Sequence, residues 1–127
     1  MKKSESNINV QNINAVVYVR ARTEKMMMEQ DVFIRAWANE HIPSAKIIET
    51  YKAQPGSTGL ISNKTLQQLL YDAMEHKFDV IITSDIQRIC RNLIEAVAVS
   101  RFLKQINPPV EILTTQDTAS CISFDTP

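Results

Sequence analysis

Glycine is almost missing from this sequence. Gly56 and Gly59 are the only two in 127 residues, so backbone that needs positive φ or a close approach to a ligand is concentrated in one connection, residues 52–62. A loop of that length in a small domain is either a solvated turn or a functional segment. Cysteine is equally scarce. Cys90 and Cys121 lie far apart without metal-ligand spacing, which points away from a metal site and toward reduced thiols in a cytosol. No metal or cofactor is expected. Lysine plus arginine equal aspartate plus glutamate at 14 each, for a formal net charge of zero. Long-range attraction to nucleic acid or to an acidic membrane should therefore be weak, and any phosphate binding has to be local. The apolar runs fall far short of the roughly 20 residues a membrane-spanning helix needs, and the polar start of the chain has no apolar stretch of a signal peptide behind it. A cytoplasmic location without a membrane partner is the expectation. No internal repeat is present.

What the sequence does contain is enough apolar material, 44% of residues, for one hydrophobic core in a chain of single-domain length. Ala15-Val16-Val17-Tyr18-Val19 is a continuous run of β-forming residues, too short for a helix, and it predicts a strand buried on both faces. Ile47-Ile48-Glu49-Thr50-Tyr51, Val80-Ile81-Ile82-Thr83 and Val110-Glu111-Ile112-Leu113-Thr114 repeat the type. Helical spacing lies between them. One helix is predicted from Met26 to His41 with Ile34, Trp37 and Ala38 on one face. A second carries Leu66, Leu69, Leu70, Ala73 and Met74 behind an Asn63 cap, and a third runs from Asn92 to Ile106 and stops before Pro108 and Pro109. Alternating strands and helices predict an α/β fold with a mainly parallel sheet of four to five strands and helices on both faces, a three-layer sandwich. The ordered domain is expected over residues 13–117, between a disordered polar arm at 1–12 and a flexible tail at 118–127.

Four of the six arginines stand in two clusters, Tyr18-Val19-Arg20-Ala21-Arg22-Thr23 and Arg88-Ile89-Cys90-Arg91-Asn92. Each follows a predicted strand, which is where an open α/β sheet places a ligand, and guanidinium forks match phosphate oxygens. If the first and third strands are neighbours, Arg20, Arg22, Arg88 and Arg91 converge. Such convergence is costly without an anion, although Asp85 could offset part of it. Other nucleophile candidates are weaker. Cys90 between two arginines is either a reactive thiol or a buried structural one, and His41 and His76 fall at helix ends without a partner serine or cysteine. Met26, Met27 and Met28 mark either an adaptable interface or ordinary packing at a helix start.

These motifs, in this order, resemble the catalytic domain of the serine recombinases, the resolvases and invertases that cut and rejoin DNA through a phosphoserine link. The first strand of that family ends in Tyr-x-Arg-x-Ser-Ser/Thr, similar to residues 18–23 here. Its next helix carries Gln and then an Ile-Arg-Ala-Tyr-Ala-like stretch, similar to Gln30 and Ile34-Arg35-Ala36-Trp37-Ala38. Its Asp-x-Gly-x-Ser-Gly loop resembles Gln54-Pro55-Gly56-Ser57-Thr58-Gly59, and its Asp-Arg-Leu-x-Arg-Asn signature resembles Gln87-Arg88-Ile89-Cys90-Arg91-Asn92. The resemblance spans residues 15–117 and implies a resolvase-like fold. It also implies DNA and recombinase-like subunits, of the same or another kind, as partners, and it assigns Arg20, Arg88, Arg91 and Gln30 to the phosphate site.

The departures bear on chemistry. Arg22 stands at the position of the family's nucleophilic serine, Gln87 at its acidic position before the paired arginines, Gln54 at its loop aspartate, and Asn63 where an arginine opens the next helix. In-line phosphoryl transfer needs an oxygen nucleophile as well as cationic stabilisation of the transition state, and arginine supplies only the second. Thr23 is the nearest hydroxyl, and strand alternation would point it away from the residue before it. The resulting expectation is a degenerate recombinase domain that binds DNA only weakly alone. An active recombinase completed by Thr23 or by a partner subunit is the first alternative. A phosphate- or nucleotide-binding module without a DNA role is the second.

Overall fold

The computed structural model describes residues 13–53, 63–90 and 92–116. The expected arm, the tail, the glycine loop at 54–62 and Arg91 lie outside these residues. Eight elements follow one another: β1 (Ile13–Arg20), α1 (Glu24–His41), β2 (Ala45–Ala53), α2 (Lys64–Met74), β3 (Val80–Thr83), α3 (Ile86–Ile89), α4 (Leu93–Gln105) and β4 (Glu111–Thr114). The strands form one sheet in the order β2-β1-β3-β4, and every adjacent pair is parallel. Four strands thus satisfy the predicted α/β architecture among the described residues.

The apolar run of the sequence becomes the centre of the sheet. Val16 and Tyr18 face one side and pack with Leu66, Leu69 and Ala73 of α2, Ala96, Val99 and Leu103 of α4, and Ile81 and Ile112 of the flanking strands. Ala15, Val17 and Val19 face the other side, where Met27, Ile34 and Ala38 of α1 cover them. All five residues of the run are fully buried, which a parallel strand under helices on both faces requires. At about 1.5–3 kcal/mol for each large apolar side chain removed from water, β1 is the most heavily stabilised strand. β2 departs from the predicted double burial. It pairs only with β1, and most of its residues are half-buried or exposed, because an edge strand has sheet on one side alone. Ile48 is the extra residue of a bulge at the point where the register jumps from Ala15 opposite Ile47 to Val16 opposite Glu49.

Each helix is started by a short polar side chain. Thr23 Oγ1 accepts from Met26 N, Asn63 Oδ1 from Leu66 N, Asp85 Oδ1 from Gln87 N and Asn92 Oδ1 from Glu95 N, at 2.9–3.1 Å. The Thr23 cap moves the start of α1 two residues ahead of the predicted Met26. Helix α3, a single turn, is too short to show periodicity and was not expected. Asn63 does more than cap: its Nδ2 donates to the Tyr18 hydroxyl at 2.7 Å, tying α2 to the buried face of β1. Met74, expected on the apolar face of α2, is instead half-exposed at its rim.

Glycine scarcity shows at the end of α2. His76 adopts φ 58°, the left-handed position usually given to glycine. Its N–H donates to the Ala73 carbonyl while Lys77 N–H donates to that of Asp72, the reciprocal pair that closes a helix in a Schellman turn. Nearby, the buried Asp72 carboxylate accepts from the Tyr51 hydroxyl at 2.5 Å and from Gln68 Nε2 at 2.9 Å, with Lys77 Nζ at 3.3 Å. Burial alone would raise this carboxyl, but the three donors outweigh it and hold Asp72 below the usual carboxylate range. Burial, together with the bond to Asp72, pushes the Tyr51 hydroxyl up.

Two stability measurements check these assignments. His76→Gly relieves a left-handed cost of about 1–2 kcal/mol against about 0.5–1 kcal/mol of added chain entropy, so the melting temperature is expected to rise by a few degrees; a fall would contradict the assigned turn. Asp72, with its carboxyl lowered in the folded state, stabilises the domain fully above the unfolded value near about 3.9 and loses that contribution as pH falls through the folded value. Asp72→Asn should therefore destabilise by about 1–3 kcal/mol at pH 7, and its deficit against the unmodified protein should shrink below about pH 4 in thermal melts. A deficit independent of pH would contradict the charged network.

Candidate phosphate-binding edge

The strand order places a topological switch point between β1 and β3. The chain leaves β1 through α1 toward β2 and leaves β3 through α3 and α4 toward β4, so the two connections diverge and open a crevice at the carboxyl ends of these strands. Ligands of open α/β sheets bind at such crevices. Both arginine clusters begin there.

Arg20 is the last residue of β1 and is half-buried. Its Nη2 donates to the Gln87 carbonyl at 2.8 Å, which spans the crevice from β1 to α3 and brings the guanidinium to the residue just before Arg88. Gln30, one helical turn and more into α1, grips the main chain of the same arginine from the other side. Its Oε1 accepts from Arg20 N at 3.3 Å, and its Nε2 donates to the Arg20 carbonyl at 3.1 Å. An amide that satisfies both main-chain groups at the frayed end of a strand fixes the direction in which the next side chains leave. Gln30 is thus a positioning residue, and its two bonds join α1 to the sheet at the edge where charge collects. Thr83 performs a comparable task at the end of β3, its buried hydroxyl donating to the Tyr18 carbonyl at 2.9 Å.

Arg88 occupies α3 and is exposed. Asp85, expected as a counter-charge, spends its carboxylate on the cap of α3. Gln87 offers its carbonyl to Arg20. Asn63 is buried, capping α2 and holding Tyr18. Burial raises the Tyr18 hydroxyl, with the Asn63 bond and the nearby Arg20 charge acting in the opposite direction. Arg91 and Gln54 belong to the residues outside the description.

Arg22 and Thr23 lie beyond the end of β1, both exposed. Strand alternation therefore does not decide where Thr23 points, contrary to the expectation from a longer strand. Its Oγ1 is directed at Met26 N as the α1 cap, with extended backbone at φ −131° and ψ 157°. Cys90 proves to be the structural alternative of its two readings. The thiol is 2% exposed, among core side chains, and burial, seconded by Glu95 and opposed by Arg20, pushes it up to about 12. A thiol with that value supplies almost no thiolate near neutrality. His41 stacks on Trp37 at 4.7 Å at the end of α1, and His76 closes α2, so both histidines stand at helix ends. Ser84, between β3 and α3 and half-buried, is a hydroxyl at this edge that sequence reasoning overlooked. The overlooked signal was its place directly after a buried parallel strand.

A family model for the N-terminal domain of resolvases matches residues 15–125. Among solved structures, a resolvase-family site-specific recombinase from Streptococcus pneumoniae superposes with a TM-score of 0.71 at 16% identity, covering 91% of this chain and 79% of that one. The C-terminal catalytic domain of ISC1926 TnpA, an IS607-like serine recombinase, gives 0.68 at 20% identity over 81% of this chain and 70% of that one. The N-terminal catalytic domain of TP901-1 integrase gives 0.68 at 16% identity over 83% and 78%. No curated protein sequence matches at a significant level. At these identities the superpositions speak for the fold, and the family model for the sequence: the chain belongs to the resolvase family and is a homologue of serine recombinase catalytic domains.

Proposed function

We propose that this domain retains the family's phosphate-holding edge but has lost its strand-cleaving step, so that it acts by binding a DNA backbone phosphate or by joining recombinase-like subunits. The observation that carries the reading is Arg22 in the place of the nucleophilic serine. Arg20, Arg88 and Arg91 match the family's phosphate arginines, and in this reading Arg22 adds a further charge to the same edge. Guanidinium groups there stabilise a phosphate oxyanion and, in a cleaving enzyme, the charge of the transition state. They cannot attack phosphorus. Three of the hydroxyl and thiol groups described at this edge support the loss, Ser84 being the one left to test: Thr23 is engaged as a helix cap, Thr83 is buried against Tyr18, and Cys90 is buried with its proton held.

With no net charge on the chain, binding of duplex DNA should be weak. Affinity measured by fluorescence anisotropy should fall with salt at a log–log slope of about −1 to −3, as one to three neutralised phosphates require. Arg20→Ala should flatten the slope by roughly one. Tight, sequence-dependent binding at physiological salt would oppose this expectation.

Chemistry provides the sharper check. Incubated with supercoiled DNA carrying the sequence that flanks its own coding region, the chain should leave no covalent adduct on a denaturing gel. Arg22→Ser should give at most partial cleavage, because several members of one cooperating site differ and such losses do not add simply. An adduct formed by the unmodified chain and abolished by Thr23→Ala or Ser84→Ala would establish the active-enzyme alternative instead.

A further inference from the structure

Helix α4 opens on two large apolar side chains that lie uncovered. Leu93 and Ile94 are 69% and 81% exposed, more than any other large apolar residue among those described. A first helical turn ordinarily carries polar or acidic residues. Here the turn is capped by Asn92, whose Oδ1 accepts from Glu95 N, so the pair leaves from fixed backbone. Val97 and Ala98 extend the patch, since residues three and four apart are neighbours on a helix. No charge stands among these four. Glu95, about 100° further round the helix than Ile94, is half-buried and close enough to the Cys90 thiol to raise it.

Both ends of the patch are cationic. The chain reaches α4 from the carboxyl end of β3 through α3, so the exposed Arg88, five residues before Leu93, borders its start. Arg101, exposed and seven residues beyond Ile94, borders its far end. Glu95 is the only acidic residue of the helix, and it lies off this face. Among the described residues neither Arg88 nor Arg101 has an ion pair. An apolar patch between two such cations fits a ligand that is apolar in the middle and anionic along its border. A nucleic-acid strand with its bases unpaired is such a ligand, because every base has an apolar face beside a phosphate. The helix rises about 10.5 Å from Ile94 to Arg101, or roughly three base steps. Regular duplex hides those faces in its stack, and a side chain that inserts between them must pay for unstacking.

We propose that Leu93 and Ile94 form a wedge against unpaired bases of the strand whose phosphate lies at the arginine edge, with Arg101 on a further phosphate of that strand. The domain then selects locally unpaired DNA over regular duplex. This inference rests on the proposed phosphate hold and adds a selectivity that the arginines alone do not supply, since phosphate contacts position a strand without reading its bases.

Fluorescence anisotropy of the full chain with two DNAs separates the wedge from the phosphate hold. A duplex carrying an unpaired bulge should bind roughly five- to tenfold more tightly than the regular duplex of the same flanking sequence, as partial burial of two large apolar side chains implies. Leu93→Ser combined with Ile94→Ser should abolish that advantage and leave both the regular-duplex affinity and the thermal melt unchanged. Arg101→Ala should flatten the salt slope by roughly one for the bulged duplex alone. Equal affinity for the two DNAs, with the Arg20→Ala effect on the slope intact, would overturn the wedge and spare the phosphate hold. An advantage that survives the double substitution would overturn the wedge as well. Displacement of the bulged duplex by a polyglutamate peptide as readily as by a single-stranded oligonucleotide would overturn it in favour of an acidic protein segment. Loss of the Arg20→Ala effect on both DNAs would remove the phosphate hold, and the wedge with it.

Discussion

Parallel pairing of β1 with β3 is the constraint on which the molecule depends. It places Val16 and Val17 opposite Ile81 and Ile82, which makes β1 a central strand sealed on both faces and sets the carboxyl ends of both strands at one edge. The crossover connections then leave in opposite directions, and the crevice between them follows from topology. Without that pairing Arg20 could not reach the Gln87 carbonyl, and the two arginine clusters would share nothing but composition. The core and the candidate site therefore come from the same apolar run.

Around this edge, polar side chains serve structure. Asn63 caps α2 and holds Tyr18, Asp85 caps α3, Thr23 caps α1, and Gln30 fixes both main-chain groups of Arg20. Each bond is modest, of the order of 1 kcal/mol net. Together they hold the ends of β1 and β3 where an extended strand would otherwise fray. The consequence is that the side chains leaving the ends of β1 and β3 start from fixed backbone, which the proposed hold on a phosphate would draw on.

Much of the fold was legible because its determinants are local. The β1 and β3 runs are unbroken and β-forming, and Asn63 and Asn92 announce the helices they cap. What the sequence concealed depends on neighbours distant in the chain. β2 reads like β1 from its residues alone, but its place at the sheet edge leaves it half-exposed. Strand alternation misdirects Thr23, because β1 ends at Arg20 and the cap geometry governs. Helix α3 has too few residues for a period to emerge. The family pattern pointed to Gln30, yet nothing in its spacing reveals that both of its polar atoms address one residue's backbone. Nor could the Tyr51–Asp72–Gln68 network be read, since its members come from β2 and α2 and meet only on folding. Ser84 belongs to no motif in the sequence, and only the pairing of β3 with β1 sets it at the edge where β1 ends.

The central claim is that a phosphate is held at the β1–β3 edge. Nuclear magnetic resonance titration of the ¹⁵N-labelled chain with a short DNA duplex tests it most directly, with the arginine Nε–Hε signals as reporters. The account predicts that the Arg20 and Arg88 side-chain signals and the amides of Ala21, Arg22, Ser84 and Asp85 shift together and saturate together, and that added salt reverses the shifts. Perturbation confined to the opposite edge of the sheet, around Asn14, Asp79 and Val110, with the arginine signals unmoved, would contradict it.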